Sequence, residues 1–346
     1  MSSWKEYKLG DIVSSNNKSI DKTYEFKNIQ YLDTGSLTNN KIDGFQEFKI
    51  SDAPSRAKRL VKHQDIVYST VRPIQRHFGF IENPQENLVV STGFSVIETN
   101  QKLAYPKFIY YFLSSDETVE ILDVIAEAST SAYPSLKPSD IENLDISLPP
   151  LEEQKAIAEV LSSLDDKIDL LHRQNQTLES LAQTLFRQWF IEEAKEEWEV
   201  GTVGDIAILK SGKSRPKEES EINNIPIYGG NGILGFTHQH NVDGETIIIG
   251  RVGAYCGSLY IENKPIWVSD NALIAKPQNP LYSKYLFYIL KENELNSMKK
   301  LFVQNSIDSK FSFIESQIKI LKEHVNIFQY SLRIFHLRVF FCIFNK

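Results

Sequence analysis

The residues best suited to chemistry fall into small groups, each lacking a member that its chemistry requires. Ala207-Ile-Leu-Lys-Ser-Gly212-Lys213-Ser214 ends in the Gly-Lys-Ser of a phosphate-cradling loop, but Ala207 stands where the first glycine belongs. That glycine shapes the turn whose backbone N–H groups hold the anion, so nucleotide binding is not expected and a basic surface loop is. His238 and His240 lie two apart with no cysteine or carboxylate at metal-ligand spacing around them. Glu262-Asn-Lys264 has the Glu-x-Lys form of a nuclease centre without the acidic residue that should precede it. Glu152 and Glu153 are adjacent. Adjacent helical residues point in different directions, so this pair suits the positive end of a helix dipole better than acid/base work. No catalytic constellation emerges.

Asn279-Pro280-Leu281-Tyr282 differs from the Asn-Pro-Pro-Tyr clamp of amino-methyltransferases at Leu281 and has no glycine-rich cofactor turn beside it, so it is expected to lead into a helix. Residues suited to reading bases are present instead. Val71-Arg-Pro-Ile-Gln-Arg76 offers Arg72, Gln75 and Arg76, and a matching loop later in the chain offers Arg251, with Asn231 in a nearby glycine-rich turn as a weaker candidate. Arginine pairs with the guanine edge, and glutamine or asparagine with the adenine edge. Arg56, Lys58 and Arg59 suit phosphate contacts, and Lys213 and Arg215 suit DNA contact from a basic surface loop. Each of these residues also suits a solvated surface.

The elements that would position them come in two copies. Trp4-Lys-Glu-Tyr-Lys-Leu-Gly10-Asp11-Ile12 is answered by Trp198-Glu-Val-Gly-Thr-Val-Gly204-Asp205-Ile206. Asp65–Ser69 and Glu245–Ile249 are short β-rich runs, each followed by an arginine-bearing loop and a second apolar run, as in equivalent hairpins. Tyr105–Leu113 and Tyr282–Leu290 read as equivalent aromatic-rich helices, and Ser135–Leu144 matches Ser312–Leu321 at the same offset. Two long copies mean duplicated domains, not a solenoid.

Between the copies, after Pro149-Pro150, apolar positions step alternately by four and three through Ile157, Leu161, Leu164, Ile168, Leu171, Asn175, Leu178, Ala182, Leu185 and Trp189. This is the seam of a coiled coil, and Asn175 is the polar interruption that penalises slipped registers. From Glu152 to Phe190 such a helix is ~58 Å long, more than one domain can bury. Its seam needs a partner.

A length of 346 residues suits two globular domains and a connector. The net charge of -7 is uneven: residues 1–148 carry 16 Lys/Arg against 20 Asp/Glu, 149–197 carry 5 against 11, and 198–346 carry 17 against 14. A protein that grips phosphates unaided usually shows a strongly basic face, so composition alone does not point to nucleic acid. Cys256 and Cys342, far apart and without a secretory leader, predict a reduced cytoplasmic protein, and no run reaches the roughly 20 apolar residues of a membrane span.

Leu136-Lys-Pro-Ser-Asp-Ile-Glu-Asn-Leu-Asp-Ile-Ser-Leu-Pro149-Pro150-Leu-Glu152-Glu153-Gln154-Lys-Ala-Ile-Ala-Glu-Val-Leu161 resembles the specificity subunits of type I restriction-modification systems. The resemblance continues through Leu164-Asp-Asp-Lys-Ile168, Asn175-Gln-Thr-Leu178 and Leu185-Phe-Arg-Gln-Trp-Phe190 and covers roughly residues 1–321. It implies an α+β fold in which two related mixed α/β target-recognition domains, 1–148 and 198–321, are joined by a long coiled-coil helix, 149–197. It also implies a non-catalytic subunit that recognises a bipartite DNA site and docks two modification subunits for adenine methylation, with restriction subunits added for cleavage. S-adenosylmethionine, ATP and Mg²⁺ would belong to those partners. On this reading Leu161, Leu164, Ile168, Leu171, Asn175, Leu178, Leu185 and Trp189 serve the coiled coil and subunit docking.

The family's second conserved helix, which packs antiparallel on the first, has no counterpart after Leu321. Lys322-Glu-His-Val-Asn-Ile-Phe-Gln-Tyr330 stands where its motif belongs, so the tail 322–346 is expected to reflect truncation or a frameshift. Ile314, Ile318, Leu321, Val325, Phe328, Leu332, Phe335 and Val339 also keep four-three spacing, which leaves a replacement helix open. An unpartnered seam predicts self-association through residues 155–190. The alternative from another class is a coiled-coil adaptor, or a decayed specificity subunit, that holds modification subunits without reading DNA.

Overall fold

The computed structural model describes residues 4–129, 133–194, 199–201, 203–217, 224–292 and 318–320, with 199–201 and 318–320 described by their backbone alone. The opening at Trp198, the tail 322–346 and most of the Ser312–Leu321 counterpart lie outside the described residues. The chain divides into two compact units, Met1–Leu170 and Leu171–Lys346.

The first unit runs β1 (Lys5–Lys8), β2 (Val13–Ser15), β3 (Asn28–Leu32), β4 (Leu37–Thr38), β5 (Lys41–Ile42), β6 (Gln46–Lys49), β7 (Ala57–Leu60), β8 (Ile66–Ser69), β9 (Phe78–Phe80), β10 (Leu88–Ser91) and β11 (Phe94–Thr99). Then come α1 (Pro106–Ser114), α2 (Asp116–Glu127), α3 (Pro138–Glu142), β12 (Asp145–Leu148) and the start of α4 (Leu151–Arg187). An antiparallel sheet of order β2-β11-β8-β9 and a mixed sheet of order β6-β3-β10-β7, in which β3 and β10 are parallel, form its frame. β8 is buried along its whole length. Its alternate residues reach two cores, as the period of two demands: Ile66 and Tyr68 pack with the helices, while Val67 packs with Leu32, Val90 and Phe94. β1 pairs antiparallel with β12, closing the unit's ends together.

The second unit contains the rest of α4, then β13 (Glu199–Gly201), α5 (Val203–Ile206), β14 (Ala207–Ser211), β15 (Ile225–Gly229), β16 (Gly232–Thr237), β17 (Thr246–Gly250), β18 (Leu259–Glu262), β19 (Trp267–Val268), β20 (Ala272–Pro277), α6 (Ser283–Glu292) and β21 (Ile318–Ile320). Its antiparallel sheet has the order β14-β20-β17-β18, its second sheet β16-β15-β19 with β15 and β19 parallel, and β13 pairs with β21. Apart from β7 and the β4–β5 hairpin, which have no counterpart strand among the described residues, this repeats the strand order of the first unit. The expected hairpins are β8–β9 and β17–β18, and the expected aromatic helices are α1 and α6.

α4 begins where the sequence places a helix start, directly after Pro149-Pro150, with Glu152 and Glu153 in its first turn. Its 37 residues span ~55 Å. Within the first unit it buries Gln154 and Ala158, and the Tyr111 hydroxyl donates to Asp165 Oδ2 at 2.8 Å. Within the second unit Ala182, Phe186 and, in the π-helical turn Gln188–Glu192, Phe190 enter the core with Tyr285 and Tyr288. The buried face at each end therefore steps by fours, and of the four-three seam only Ala182 is buried. Leu164 and Ile168 are 56% and 51% exposed, and Asn175 is exposed. Leu161, Leu171, Leu178, Leu185 and Trp189 are half-buried.

Candidate nucleic-acid interface

In the first unit the loop between β8 and β9 is a rigid turn, not a loose strap. Arg72 and Arg76 both take left-handed backbone conformations, with φ of 48° and 58°, on either side of a 3-10 turn opened by Pro73. Non-glycine residues adopt this region at a cost that surrounding contacts must offset. Those contacts are on hand: Arg72 N donates to Pro134 O at 3.1 Å, Ile74 N to Asp123 Oδ1 at 3.2 Å, and Leu136 N to Thr70 O at 2.7 Å. The turn thus brings Arg72, Gln75 and Arg76 together. Their availability differs. Gln75 is exposed. The Arg72 guanidinium lies 5.9 Å from the centre of the Tyr133 ring, a cation–π contact that leaves its N–H edge open. Arg76 Nη2 donates to Asp116 Oδ1 at 2.6 Å, so Arg76 would have to exchange a carboxylate for a base or phosphate.

Of the three cations proposed for phosphates, Arg56 and Lys58 are exposed. Arg59 is drawn inward: its Nη1 is buried with no hydrogen-bond partner among the described residues, and desolvation lowers the guanidinium pKa. A buried, unpaired guanidinium nitrogen is poorly placed to meet a phosphate.

In the second unit the equivalent loop, Arg251–Ser258 between β17 and β18, is fixed by close backbone approach. A Cβ on Gly250 would stand 2.4 Å from Tyr255 O and 2.7 Å from Gly230 O, so glycine is what lets the arginine hairpin touch the turn carrying Asn231. Arg251 N donates to Asn271 O at 3.0 Å, and its Nη1 donates to Ser211 Oγ at 3.1 Å. Ser211 precedes the Gly212-Lys213 segment, so Lys213 and Arg251 share one end of the sheet. Arg215 Nη2 reaches Leu234 O, at the limiting distance of 3.5 Å.

The geometry also explains why Gly-Lys-Ser here is no phosphate cradle. Gly212 N donates to Ala272 O at 3.1 Å and Lys213 N to Val268 O at 3.0 Å, so the amides an anion would need are already engaged. Gly212 is required for a different reason: its Cβ would fall 2.0 Å from Ser269 O. Asn279 Oδ1 accepts from Leu281 N at 3.0 Å and caps the turn leading into α6, as expected of a helix start. Among the described residues no group of three or more His, Cys, Asp or Glu could hold a metal ion. No described helix is long and apolar enough to cross a membrane.

Sequence reasoning missed the β4–β5 hairpin. Its turn, Asn39-Asn40, leans on the arginine loop: Asn39 N donates to Arg76 O and Asn40 N to Phe78 O, each at 2.9 Å. The signal was present, since Leu-Thr-Asn-Asn-Lys-Ile sets two turn-forming residues between short β-prone pairs. It also missed the buried side chain of Gln154, which ties the start of α4 to Tyr105 N at 2.8 Å and Pro149 O at 2.9 Å.

Comparison with known proteins gives one consistent result. The family described as "Type I restriction modification DNA specificity domain" matches residues 1–180 and 195–327. The HindI specificity subunit of Haemophilus influenzae is 38% identical over 195 residues, 56% of this chain and 42% of that protein. The MjaIX specificity subunit of Methanocaldococcus jannaschii is 31% identical over 166 residues, 43% of this chain and 38% of that one. The matched stretches thus take in less than half the length of either relative. The fold is similar to that of a crystallised type I restriction-modification S subunit from M. genitalium, with a TM-score of 0.51, 18% identity, and coverage of 98% of this chain and 94% of that one.

Proposed function

We propose that this chain, which belongs to the type I restriction-modification DNA specificity family, reads a bipartite site in double-stranded DNA, one half with each unit, and positions modification and restriction subunits there. The observation that carries this reading is the repetition of one arginine-bearing hairpin loop on equivalent four-stranded sheets, β2-β11-β8-β9 and β14-β20-β17-β18. Two copies of an arginine-bearing loop, the first with Gln75 as well, suit two half-sites. Arg72 and Gln75 are the readers in the first unit and Arg251 in the second, while Lys213 and Arg215 meet phosphate. The weak basic charge of the chain fits a division of labour in which base contacts specify and partner subunits supply most of the backbone grip.

Methylation and cleavage belong to the partners. The modification subunits use S-adenosylmethionine and flip the target adenine from the stack, and the restriction subunits use ATP and Mg²⁺. The open part of the α4 seam, at Leu164, Ile168 and Asn175, is the surface on which another helix or a second copy packs, and the complex works in the cytoplasm on chromosomal and incoming DNA.

Footprinting of the chain reconstituted with its modification subunit tests this reading. Two short protected segments at a fixed separation are expected. Lys213→Ala should weaken binding uniformly across sequences and lower the salt slope by about 1, whereas Arg251→Ala should relax one half-site. Protection of a single segment, or of none, would defeat the bipartite assignment.

A further inference from the structure

The two units differ at one place that bears on what each reads. In the second unit β15 passes to its antiparallel neighbour β16 through the two residues Gly230 and Asn231. In the first unit the corresponding strands β3 and β6 are separated by residues 33–45, which contain the β4–β5 hairpin. An element present in one reader and absent from its sister is where two half-site specificities can diverge.

The hairpin is built as a fixed tool. Its central residues Asn39 and Asn40 have φ of 46° and 63°, the two left-handed positions of a type I′ turn. It is clamped onto the arginine loop and β9 by Asn39 N to Arg76 O, Asn40 N to Phe78 O, and Phe80 N to Asn40 Oδ1 at 2.7 Å. His77 Nδ1 lies 2.6 Å from Leu37 O. A carbonyl can only accept, so Nδ1 carries the proton. Gly79 leaves room for the seat: its Cβ would stand 3.0 Å from Leu37 Cδ1 and 3.1 Å from Asn40 Oδ1. These contacts account for the Asn40 side chain. They leave the Asn39 side-chain amide exposed, with no hydrogen-bond partner among the described residues, on the residue whose backbone N–H is tied to Arg76 O.

We infer that Asn39 is a specificity-determining residue of the first unit, its amide reading an adenine edge next to the base met by Arg72 or Gln75. This deepens the DNA-reading assignment above and rests on it. The turn would hold Asn39 in the groove with its backbone already ordered, so both the donor and the acceptor of the amide can pair with N7 and the exocyclic amine of one adenine.

Asn39→Gly removes the amide and keeps the left-handed backbone at no steric cost. Wild-type chain and variant would each be co-expressed with the modification subunit in methylation-free cells, and methylated adenines mapped by single-molecule sequencing. The wild type should give a split motif. The variant should give the same motif with one position relaxed in one half only, the disfavoured bases there gaining roughly ten- to hundredfold in relative methylation. Identical motifs would overturn the inference while leaving DNA reading by the chain intact. So would a uniform fall in methylation with no change of motif, which is the mark of a phosphate or scaffolding contact. A wild type that methylates nothing would defeat the underlying reading and the inference with it.

Discussion

Gln154→Leu tests how the long helix is anchored. Gln154 is 1% exposed, on the first turn and a half of α4, and no apolar residue can replace what it does there. Its Oε1 accepts from Tyr105 N at 2.8 Å, and its Nε2 donates to Pro149 O at 2.9 Å and to Leu103 O at 3.3 Å. One side chain thereby satisfies backbone groups before α1 and before α4. Leucine fills much the same volume, so the cost is polar: two well-formed bonds at about 1–3 kcal/mol each give a loss of about 2–6 kcal/mol, with the longer third adding little. Native-state hydrogen exchange reads this locally. The Tyr105 amide should exchange at least about thirtyfold faster in the variant, that factor corresponding to the lower figure of about 2 kcal/mol. Glu159→Gln, on the exposed face, should leave it unchanged. Gln154→Glu should also fail, because it buries a charge and turns two donors into acceptors. Tyr105 exchange in Gln154→Leu within twofold of wild type would refute the account of the anchor.

Three further outcomes follow from the geometry. Asp65 is buried with Oδ1 unpaired among the described residues, and desolvation pushes its pKa up from 3.8 to about 6. The folded state therefore holds a proton that the unfolded state releases between those values, so stability falls as pH rises from about 4 to 6 and is level above; Asp65→Asn should gain on wild type across that window by at most about 3 kcal/mol, and parallel stability–pH curves would contradict this. Gly212→Ala should destabilise the second unit by about 1–3 kcal/mol or more, because the new methyl meets backbone at Ser269 and not a flexible side chain, and should expose the Lys213 amide to exchange; a fully stable variant would show that the close approach is not required. Leu164→Glu with Ile168→Glu should turn a self-associating wild type into a monomer in sedimentation at micromolar concentration, and Asn175→Leu should change the number of chains; a monomeric wild type would remove the case for self-association through α4.

Parts of this architecture are legible without coordinates because they depend on local pattern. The β8–β9 and β17–β18 hairpins follow from β-rich runs that flank an arginine loop, α1 and α6 from aromatic periodicity behind a proline, and the start of α4 from Pro149-Pro150 followed by Glu152-Glu153. What is hidden depends on distant partners. The parallel pairing of β3 with β10 joins Gln30 to Leu88, which no local pattern encodes. The four-three seam correctly marks a long helix, but which face each unit buries is set by the cores it meets, so Ala182 and Phe186 sink while Leu164 stays open. The candidate site shows the same limit. Sequence brings Arg72, Gln75 and Arg76 together by spacing, but that Asp116 holds Arg76, that Arg59 turns inward and that Asn39 sits on the arginine loop are consequences of tertiary contact.

The measurement that meets the central claim most directly is a methylation map of the wild-type chain, produced with its modification subunit in cells that otherwise lack adenine methylation. The account predicts a split motif of two unlike halves at a fixed spacing, one for each unit. A symmetric motif would mean that a dimer reads one half-site twice, and an unmethylated genome in the presence of a soluble complex would contradict DNA reading by this chain.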